Sequence, residues 1–288
     1  MKQELVRINS IDGIQMPGIL YTPDKATKKI VIHVHGLSGN FYEDNFLDNI
    51  SKAYAANKGI AFLTFNNRGR EFITELWKGK ECVIIGGCFE RFKDCILDIE
   101  GVINYVKEKG YQDIILEGHS YGCNKVVYYY TKKKDKSVKK IVLLAPCDIP
   151  SEVTKFLTKE EYETAQKEAT KLVNAGKENE LIPFSIMANG KIAAGTYYND
   201  FLPGGEDDFI RYADRESRKS KVLNKLDIPV LVIFGDKDEC VLTEKIDTVK
   251  RYLYNNIEDC NIQIIKETDH SYTDKYEELA QIIKNNIE

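Results

Sequence analysis

The five residues Gly118-His119-Ser120-Tyr121-Gly122 constrain the fold of this chain more than any other segment. They have the form G-x-S-x-G, they follow an apolar run at 114–116, and residues 123–130 can continue as a helix. This order predicts a strand, a very tight turn and a helix. The turn is so tight that the serine adopts a strained backbone conformation. Side chains at the two flanking glycine positions would collide with neighbouring strands and helix. The serine hydroxyl group is then exposed at the carboxyl end of a sheet, where a substrate carbonyl can reach it.

A serine hydroxyl is a poor nucleophile at neutral pH, so a base must take its proton during attack. The chain has four histidines, and three of them lie at or before the serine turn. Only His270 lies far downstream, in a loop after the strand-like run 262–266. An imidazole with a reference pKa near ~6.5 can take the proton and later return it to a leaving group. The alternative interpretation is an ordinary surface histidine.

The acid that would orient His270 is expected after an earlier strand. The run 229–234 is apolar and rich in β-branched residues, as is typical of a buried parallel strand. Two aspartates follow it, Asp236 and Asp238, and the residues alone leave both as candidates. A carboxylate at either position could hold the imidazole in the useful tautomer and stabilise the imidazolium.

Two backbone N–H groups are candidates for stabilising the negative oxygen that develops in acyl transfer. One belongs to Tyr121, which directly follows the serine. The other belongs to Leu37, because the strand-like run 30–35 ends in a His-Gly pair just before it. Glycines at 36 and 39 allow that loop to turn sharply close to a substrate.

His33 and His35 form a His-x-His pair on one side of the same strand, a pattern that can bind a metal. The sequence places no third ligand near them, and the His-Gly loop already accounts for His35. We therefore expect His33 to be a hydrogen-bonded packing residue, and we expect no metal and no organic cofactor.

Composition excludes several other classes of protein. With 288 residues, 43% hydrophobic and 30% charged, the chain suits one large soluble α/β domain. A net charge of −4 gives no general affinity for nucleic acid, and no apolar run approaches the ~20 residues that span a bilayer. No apolar leader opens the chain, and seven scattered cysteines are typical of free thiols in a reducing cytosol. We expect a cytoplasmic protein whose partner is a small molecule, and a homodimer remains an alternative.

One cysteine lies near the predicted site. Cys240 follows Asp238 closely enough in the sequence to reach it.

Strands alternate with helices along most of the chain, which predicts a mostly parallel sheet with right-handed crossovers. Residues 3–9 and 14–21 predict two antiparallel strands, with Pro17 favouring an edge position for part of the second. Residues 71–89 are predicted to be irregular, and Arg68 is predicted to fix the preceding loop through hydrogen bonds.

Residues 147–226 break this alternation and predict an insertion before the acid-bearing strand. Residues 151–174 have the pattern of one amphipathic helix, and Asn189-Gly190 between apolar runs is a strong hairpin signal. The predicted organisation is a core of residues 1–146 and 227–288 and a cap of residues 147–226.

The cap is predicted to supply the substrate pocket, because it leaves the sheet at the end where the site lies. Its candidate substrate-binding residues are Met187, Tyr197 and Tyr198, which suit an apolar or aromatic substrate. Such residues also commonly just pack a cap.

These motifs together resemble the α/β-hydrolase superfamily over nearly the whole chain. The resemblance implies a mostly parallel central sheet flanked by helices, with a small cap. It implies a catalytic triad of Ser120, Asp238 and His270, and an oxyanion hole formed by Leu37 and Tyr121. The spacing G-x-x-D after the acid-bearing strand is the usual form in these hydrolases, and it favours Asp238 over Asp236 as the acid.

Within the superfamily, the cap with its hairpin resembles that of bacterial cinnamoyl and feruloyl esterases. The segments 35–40, 66–69 and 118–122 are also similar to the DUF1749 group, to whose neighbourhood fungal siderophore esterases belong. One departure is the pair Asn66-Asn67, where many relatives carry an aspartate before the Arg-Gly.

The resemblance predicts a serine esterase, a carboxylic ester hydrolase of class EC 3.1.1.-, acting through an acyl-enzyme. Hydroxycinnamoyl esters, or esters of other small aromatic or apolar acids, are the expected substrates. Two alternatives remain: an amidase or peptidase with the same triad, and a non-catalytic binding protein on the same fold. Loss of the serine, the acid or the histidine would mark a binding protein, and none is lost.

Overall fold

One central sheet of eight strands organises the computed structural model, which describes residues 1–155, 157–186, 190–212, 219–241 and 245–287. The strands of the described residues, in chain order, are β1 (Lys2–Asn9), β2 (Gln15–Thr22), β3 (Lys29–Val34), β4 (Ala61–Phe65), β5 (Thr74–Lys78), β6 (Glu81–Ile85), β7 (Asp113–His119), β8 (Val138–Leu144), β9 (Leu181–Ile186), β10 (Gly190–Ala193), β11 (Val230–Gly235) and β12 (Cys260–Ile265).

The order of strands in the central sheet is β1-β2-β4-β3-β7-β8-β11-β12. β2 is antiparallel to both β1 and β4, and every later pair in this order is parallel. The predicted mostly parallel sheet is therefore confirmed.

Helices flank this sheet. In chain order they are α1 (Phe46–Lys52), α2 (Cys95–Glu108), α3 (Tyr121–Lys133), α4 (Ile149–Thr154), α5 (Lys159–Asn174), α6 (Ala194–Thr196), α7 (Ile246–Asn256) and α8 (Tyr276–Asn286). α1 and α6 continue as the π-helical turns Ala53–Lys58 and Tyr197–Phe201, and short 3₁₀ turns cover Phe92–Asp94 and Leu223–Lys225. α1 packs on α8, and α2 packs on α3. Among the described residues, no helix has the length and apolar character that crossing a bilayer requires.

The position of each strand in the sheet follows from its sequence pattern. All residues of β4 and β11 are buried, as expected for strands covered by helices on both faces. β1 lies at an edge, and most of its residues are exposed. The fully apolar runs of the sequence therefore mark inner strands of the sheet.

Pro17 lies in the part of β2 that pairs with β1 alone, which is the edge position that the sequence predicts for part of this strand. β2 lies between β1 and β4, and its pairing with β4 begins only at Gly18. Because Pro17 lies just beyond the last paired residue, its missing N–H removes no hydrogen bond to β4. Its carbonyl oxygen accepts a hydrogen bond from Asn66 at 2.8 Å.

Residues 71–89 are more regular than predicted, because they contain the antiparallel hairpin of β5 and β6. Both strands are largely exposed, so the sequence has no alternation of apolar and polar residues from which to predict them. The connection passes through Gly79, which has φ 61°.

The segment between β8 and β11 contains α4, α5, the antiparallel pair β9 and β10, and α6. The single helix predicted over 151–174 is instead two helices. Thr158 starts the second one, because its hydroxyl accepts from Glu161 N while the Glu161 carboxylate accepts from Thr158 N. The predicted hairpin strands are present, although Asn189 lies outside the described residues. The division into core and cap at residues 147 and 226 stays a prediction.

A close crossing of α3 over β3 fixes the start of that helix. A Cβ atom on Gly122 would lie 2.0 Å from the carbonyl oxygen of Val34. Two backbones therefore meet where no side chain fits.

We predict that Gly122→Ala destabilises the protein by about 2 to 4 kcal/mol, because the added methyl group forces α3 and β3 apart. Helix propensity alone predicts the opposite sign, a gain of about 1 kcal/mol for alanine in a helix. The free energy of unfolding in urea measures the difference. Gly110→Ala is the control, since nothing lies within 4 Å of its added Cβ and only its φ of 94° is strained; it should cost about 1 kcal/mol. A Gly122→Ala protein as stable as the parent would contradict the steric argument.

Candidate active site

Ser120 occupies the tight turn between β7 and α3, at the carboxyl end of the central sheet. Its φ of 55° and ψ of −126° are values that non-glycine residues rarely adopt. A Cβ atom on Gly118 would lie 2.4 Å from the carbonyl carbon of Gly122, so both flanking positions require glycine. The strand, turn and helix predicted around the serine are therefore present.

His270 and Asp238 contact each other beside this turn. The ring nitrogen Nδ1 of His270 lies 3.0 Å from Oδ1 of Asp238. The same oxygen accepts hydrogen bonds from the backbone N–H groups of Cys240 and Val241, each at 2.9 Å. Asp238 is fully buried, and these donors hold its carboxylate towards the imidazole.

Asp236, the competing candidate, points elsewhere. Its Oδ1 accepts a hydrogen bond from Glu267 N at 2.6 Å, in an exposed turn. Of the two aspartates, Asp238 is therefore the one in contact with His270.

The surroundings of His270 favour its protonated form. Burial alone would lower the pKa of His270, but the hydrogen bond to Asp238 and the neighbouring Cys240 raise it well above the ordinary value. His119 differs, because burial lowers its pKa to about 4 and keeps its ring neutral. His119 Nε2 can then donate to the carbonyl oxygen of His270 at 3.0 Å, which fixes the loop that carries His270.

The hydroxyl group of Ser120 contacts a thiol rather than an imidazole. Its Oγ lies 3.8 Å from Sγ of Cys147. Within the described part of the chain, no hydrogen bond joins this hydroxyl to the ring of His270. Such bonds are often long in an unliganded site and shorten when substrate binds.

The loop after β3 approaches Ser120 closely. A Cβ atom on Gly36 would lie 2.9 Å from Cβ of Ser120. Leu37, the next residue, lines the same pocket as Ser120 and Tyr121. Tyr121 is the first residue of α3, and the first N–H groups of a helix have no partner within it.

His35 and Asn67 hold this loop in place. Nδ1 of His35 donates to the carbonyl oxygen of Gly36 at 2.9 Å, while its Nε2 accepts from Asn67 N at 3.1 Å. This is the pattern of a neutral imidazole, and burial lowers the pKa of His35 well below its ordinary value. Oδ1 of Asn67 accepts from Gly69 N and from the buried ammonium group of Lys125. The asparagine that departs from the family pattern is therefore part of the loop's support.

His33 and Arg68 have the structural roles predicted for them. His33 Nδ1 lies 2.7 Å from Glu117 Oε1, and both side chains are fully buried. The guanidinium group of Arg68 donates to Asp98 and Asp12, at 2.8 Å for the shortest bond to each. These contacts fix the loop that follows β4.

A narrow pocket opens beside Ser120. Its volume is about 20 Å³, enough for a single water molecule. The residues that line it come from the loop after β3, the serine turn, the segment after β8, the π-helical turn and the segment after β11: Leu37, Ser120, Tyr121, Cys147, Ile149, Glu152, Val153, Phe201 and Cys240.

The predicted substrate residues are not among those that line this pocket. Tyr197 is fully buried, and Tyr198 is 39% exposed. Phe201, at the end of the same π-helical turn, reaches the pocket in their place. A π-helical turn changes the angle between successive side chains, and this turn was not predicted from the sequence. Met187 lies outside the described residues.

Sequence reasoning also missed Cys147 and Glu152. Glu152 is only 3% exposed, it lies 2.5 Å from Nζ of Lys155, and burial raises its pKa to about 7. It stands three residues from Ile149 and next to Val153, so the short helix α4 presents all three to the pocket. A separate helix at 149–154 was the signal that could have identified Glu152. It was not recognised, because residues 151–174 have the amphipathic pattern of one continuous helix.

One group of side chains has the composition of a metal site among the described residues. Asp238, Cys240 and His270 each offer a donor atom within 4.8 Å of the others. An ion bound there would compete with the hydrogen bond between Asp238 and His270.

A family model matches residues 89–287, which is more than half of the chain. That family is DUF1749, described as proteins of unknown function. The chain belongs to the DUF1749 family. No curated protein is similar to it in sequence.

Solved structures share the fold of this DUF1749 protein. Est1E from Butyrivibrio proteoclasticus, with ferulic acid bound, has a TM-score of 0.64 and 19% identity over 97% of this chain and 96% of its own. The carboxylesterase CesB from Bacillus subtilis has a TM-score of 0.58 and 15% identity over 99% and 92%. DcsB in complex with its substrate analogue has a TM-score of 0.71 and 15% identity over 99% and 97%. At these identities the likeness establishes the α/β-hydrolase fold.

We predict that Asp238→Asn lowers the pKa of His270 from its raised value in the parent protein. The variant removes the negative charge that stabilises the imidazolium but leaves the burial that opposes it. Titration of the His270 ring signals by NMR measures the change. Asp236→Asn is the matched control and should leave the His270 pKa unchanged. A larger shift in the Asp236 variant would exchange the two assignments.

Proposed function

We propose that this protein is a serine hydrolase that cleaves carboxylic esters through an acyl-enzyme. The observation that carries the proposal is the meeting of three parts at one end of the sheet. These parts are the strained serine turn, the His270–Asp238 pair and the loop that carries Leu37.

In the proposed reaction, His270 takes the proton of Ser120 as its hydroxyl oxygen attacks the ester carbonyl. The N–H groups of Leu37 and Tyr121 stabilise the negative oxygen of the tetrahedral intermediate. The imidazolium then gives its proton to the leaving alcohol. Water attacks the acyl-enzyme by the same route and restores the serine. Asp238 keeps the imidazole in the correct tautomer throughout.

This reaction requires His270 in its neutral form. Since the pKa of His270 is raised, the protonated and inactive form persists to higher pH than for an ordinary histidine. Ester turnover is therefore expected to rise with pH through that pKa.

The walls of the pocket support an apolar acyl group as the substrate class. Ile149, Val153 and Phe201 are apolar, while Glu152 is a buried carboxyl group that can bond a hydroxyl group on the substrate. A hydroxycinnamoyl ester combines an apolar ring with such a hydroxyl, and Est1E is similar in fold and binds ferulic acid. A pocket of about 20 Å³ is too small for this group, so α4 or Phe201 must move when the substrate enters.

Two other functions use the same geometry. An amidase or peptidase would need stronger protonation of a poorer leaving group, and matched ester and anilide substrates separate the two activities. A binding protein is favoured by the contact of Ser120 with Cys147 instead of His270. A fluorophosphonate probe separates catalysis from binding, because it bonds only to an activated serine.

We predict that Ser120→Ala lowers turnover of p-nitrophenyl esters by about 10³-fold or more, because the nucleophile is lost. Mass spectrometry of a digest should locate a fluorophosphonate adduct on Ser120 in the parent protein. Ser271→Ala, an exposed serine beside His270, is the control and should retain parental turnover. Undiminished turnover in Ser120→Ala would reject the proposal.

We predict that Phe201→Leu shifts substrate preference towards bulky acyl groups. The smaller side chain enlarges the pocket, and the ratio of kcat/KM for cinnamoyl over acetyl esters should rise by about ten-fold. Tyr198→Leu, on the cap surface away from the pocket, serves as the control and should leave the ratio unchanged. Equal ratios in both variants would place the acyl group elsewhere.

A further inference from the structure

Two cysteines that the proposed reaction does not use lie beside Ser120. Cys147 and Cys240 come from different segments, one after β8 and the other after β11, and both line the serine pocket. The two side chains therefore meet at one pocket, where each thiol influences the ionisation of the other. The sulfur of Cys147 also touches the hydroxyl of Ser120, at 3.8 Å.

Cys240 has the surroundings of a reactive thiol. Its sulfur lies within 4.8 Å of a ring nitrogen of His270 and a carboxylate oxygen of Asp238. The neighbouring thiol of Cys147 lowers the pKa of Cys240, burial opposes this, and His270 adds to the lowering, so that the pKa reaches about 5. The thiolate is the form that attacks an electrophile, and imidazolium neighbours are known to favour it. Cys240 is only partly buried, and its side chain forms part of the pocket wall.

Cys147 has the opposite character. Its thiol is fully buried, and its pKa is raised well above the ordinary value by the neighbouring Cys240 and by burial. One thiol of the pair is therefore prepared to attack first, and the other stays protonated within reach. This is the arrangement of an attacking and a resolving cysteine.

Exposure alone does not give this reactivity, as Cys82 shows. It is exposed on the outer hairpin of β5 and β6, with its sulfur 3.7 Å from Oε2 of Glu75. Desolvation and the carboxylate of Glu75 raise the pKa of the Cys82 thiol. Cys82 is therefore a matched comparison, more accessible but less ionised.

We propose that Cys240 and Cys147 form a reversible oxidation site for hydroperoxides, and that the resulting disulfide closes the serine pocket. The thiolate of Cys240 attacks the outer oxygen of the hydroperoxide, whose O–O bond breaks to release an alcohol, or water from hydrogen peroxide. The thiol of Cys147 then attacks the sulfur of the Cys240 sulfenic acid and releases water. The two thiols together lose two electrons and two protons, and the peroxide is reduced.

The disulfide would act on the esterase through position. It crosses a pocket with room for one water molecule, and one of its sulfur atoms touches the serine hydroxyl. It also removes the thiolate whose charge helps to stabilise the His270 imidazolium, which favours the neutral imidazole, so the loss of turnover comes from the blocked pocket alone. The effect on turnover rests on the proposed function, whereas formation of the disulfide does not.

The test treats the reduced full-length protein with increasing hydrogen peroxide, blocks free thiols with iodoacetamide and maps peptides without reductant. The expected result is a linked Cys147–Cys240 peptide that appears before Cys82 is modified. Fluorophosphonate labelling of Ser120, followed in parallel, should fall by about ten-fold or more and recover with dithiothreitol. Modification of Cys82 without a linked peptide would overturn the proposal.

Three variants separate the possible outcomes, each compared with its own reduced state. Cys82→Ser should behave as the parent does. Cys240→Ser should form no linked peptide and keep its Ser120 labelling after peroxide. Cys147→Ser should accumulate the Cys240 sulfenic acid, which dimedone traps; absence of this adduct would also overturn the proposal. If the reduced parent fails to label at Ser120, the proposed function fails, while the peptide map still decides the oxidation site.

Discussion

Three stretches of backbone meet around Ser120 with no space between them for a side chain. A Cβ atom on Gly36, Gly118 or Gly122 would stand within 3 Å of an atom of a neighbouring segment. This contact forces the serine into a backbone conformation that costs about 1 to 3 kcal/mol, and the buried sheet supplies the stability that offsets it. The same contact fixes the distance between the serine and the loop after β3. Every other part of the site is arranged relative to that crossing.

Charge in the site is distributed among buried groups. His270 lies between the carboxylate of Asp238 and the thiol of Cys240, and both favour its protonated form. His119 lies on the other side, kept neutral by burial, and anchors the backbone of His270. Two histidines whose rings are 5.0 Å apart thus hold opposite preferences for a proton. Burial outweighs the effect of Asp44, whose carboxylate lies 3.8 Å from Nδ1 of His119, whereas His270 is hydrogen-bonded to Asp238.

The parts of this molecule that depend on local sequence could be predicted. The serine turn, the buried runs of β3, β4 and β11, and the order of serine, acid and histidine are all visible along the chain. The contact of Asp238 with His270 could not be predicted from local sequence alone, because it depends on a turn that places the carboxylate against the N–H groups of Cys240 and Val241. The preference for Asp238 came from family resemblance.

The sequence predictions that the structure corrects were wrong for physical reasons. The exposed hairpin of β5 and β6 has no buried face to give a periodic signal. The break between α4 and α5 is set by one capping interaction at Thr158, within a pattern that otherwise suits a continuous helix. The choice of Phe201 over Tyr197 and Tyr198 depends on a π-helical turn. The proximity of Cys147 to Cys240 depends on β8 and β11 being neighbours in the sheet.

The short helix α4 supplies three walls of the pocket, Ile149, Glu152 and Val153, from six residues of chain. It is attached to the core just after β8, and its first turn is capped by Asp148, whose other oxygen accepts from Tyr212 N at 2.8 Å. Under the proposed function, substrate choice is thereby separated from the residues that make and break bonds. A lineage could replace this one segment and acquire a new substrate while the serine, the histidine and the sheet beneath them stay as they are.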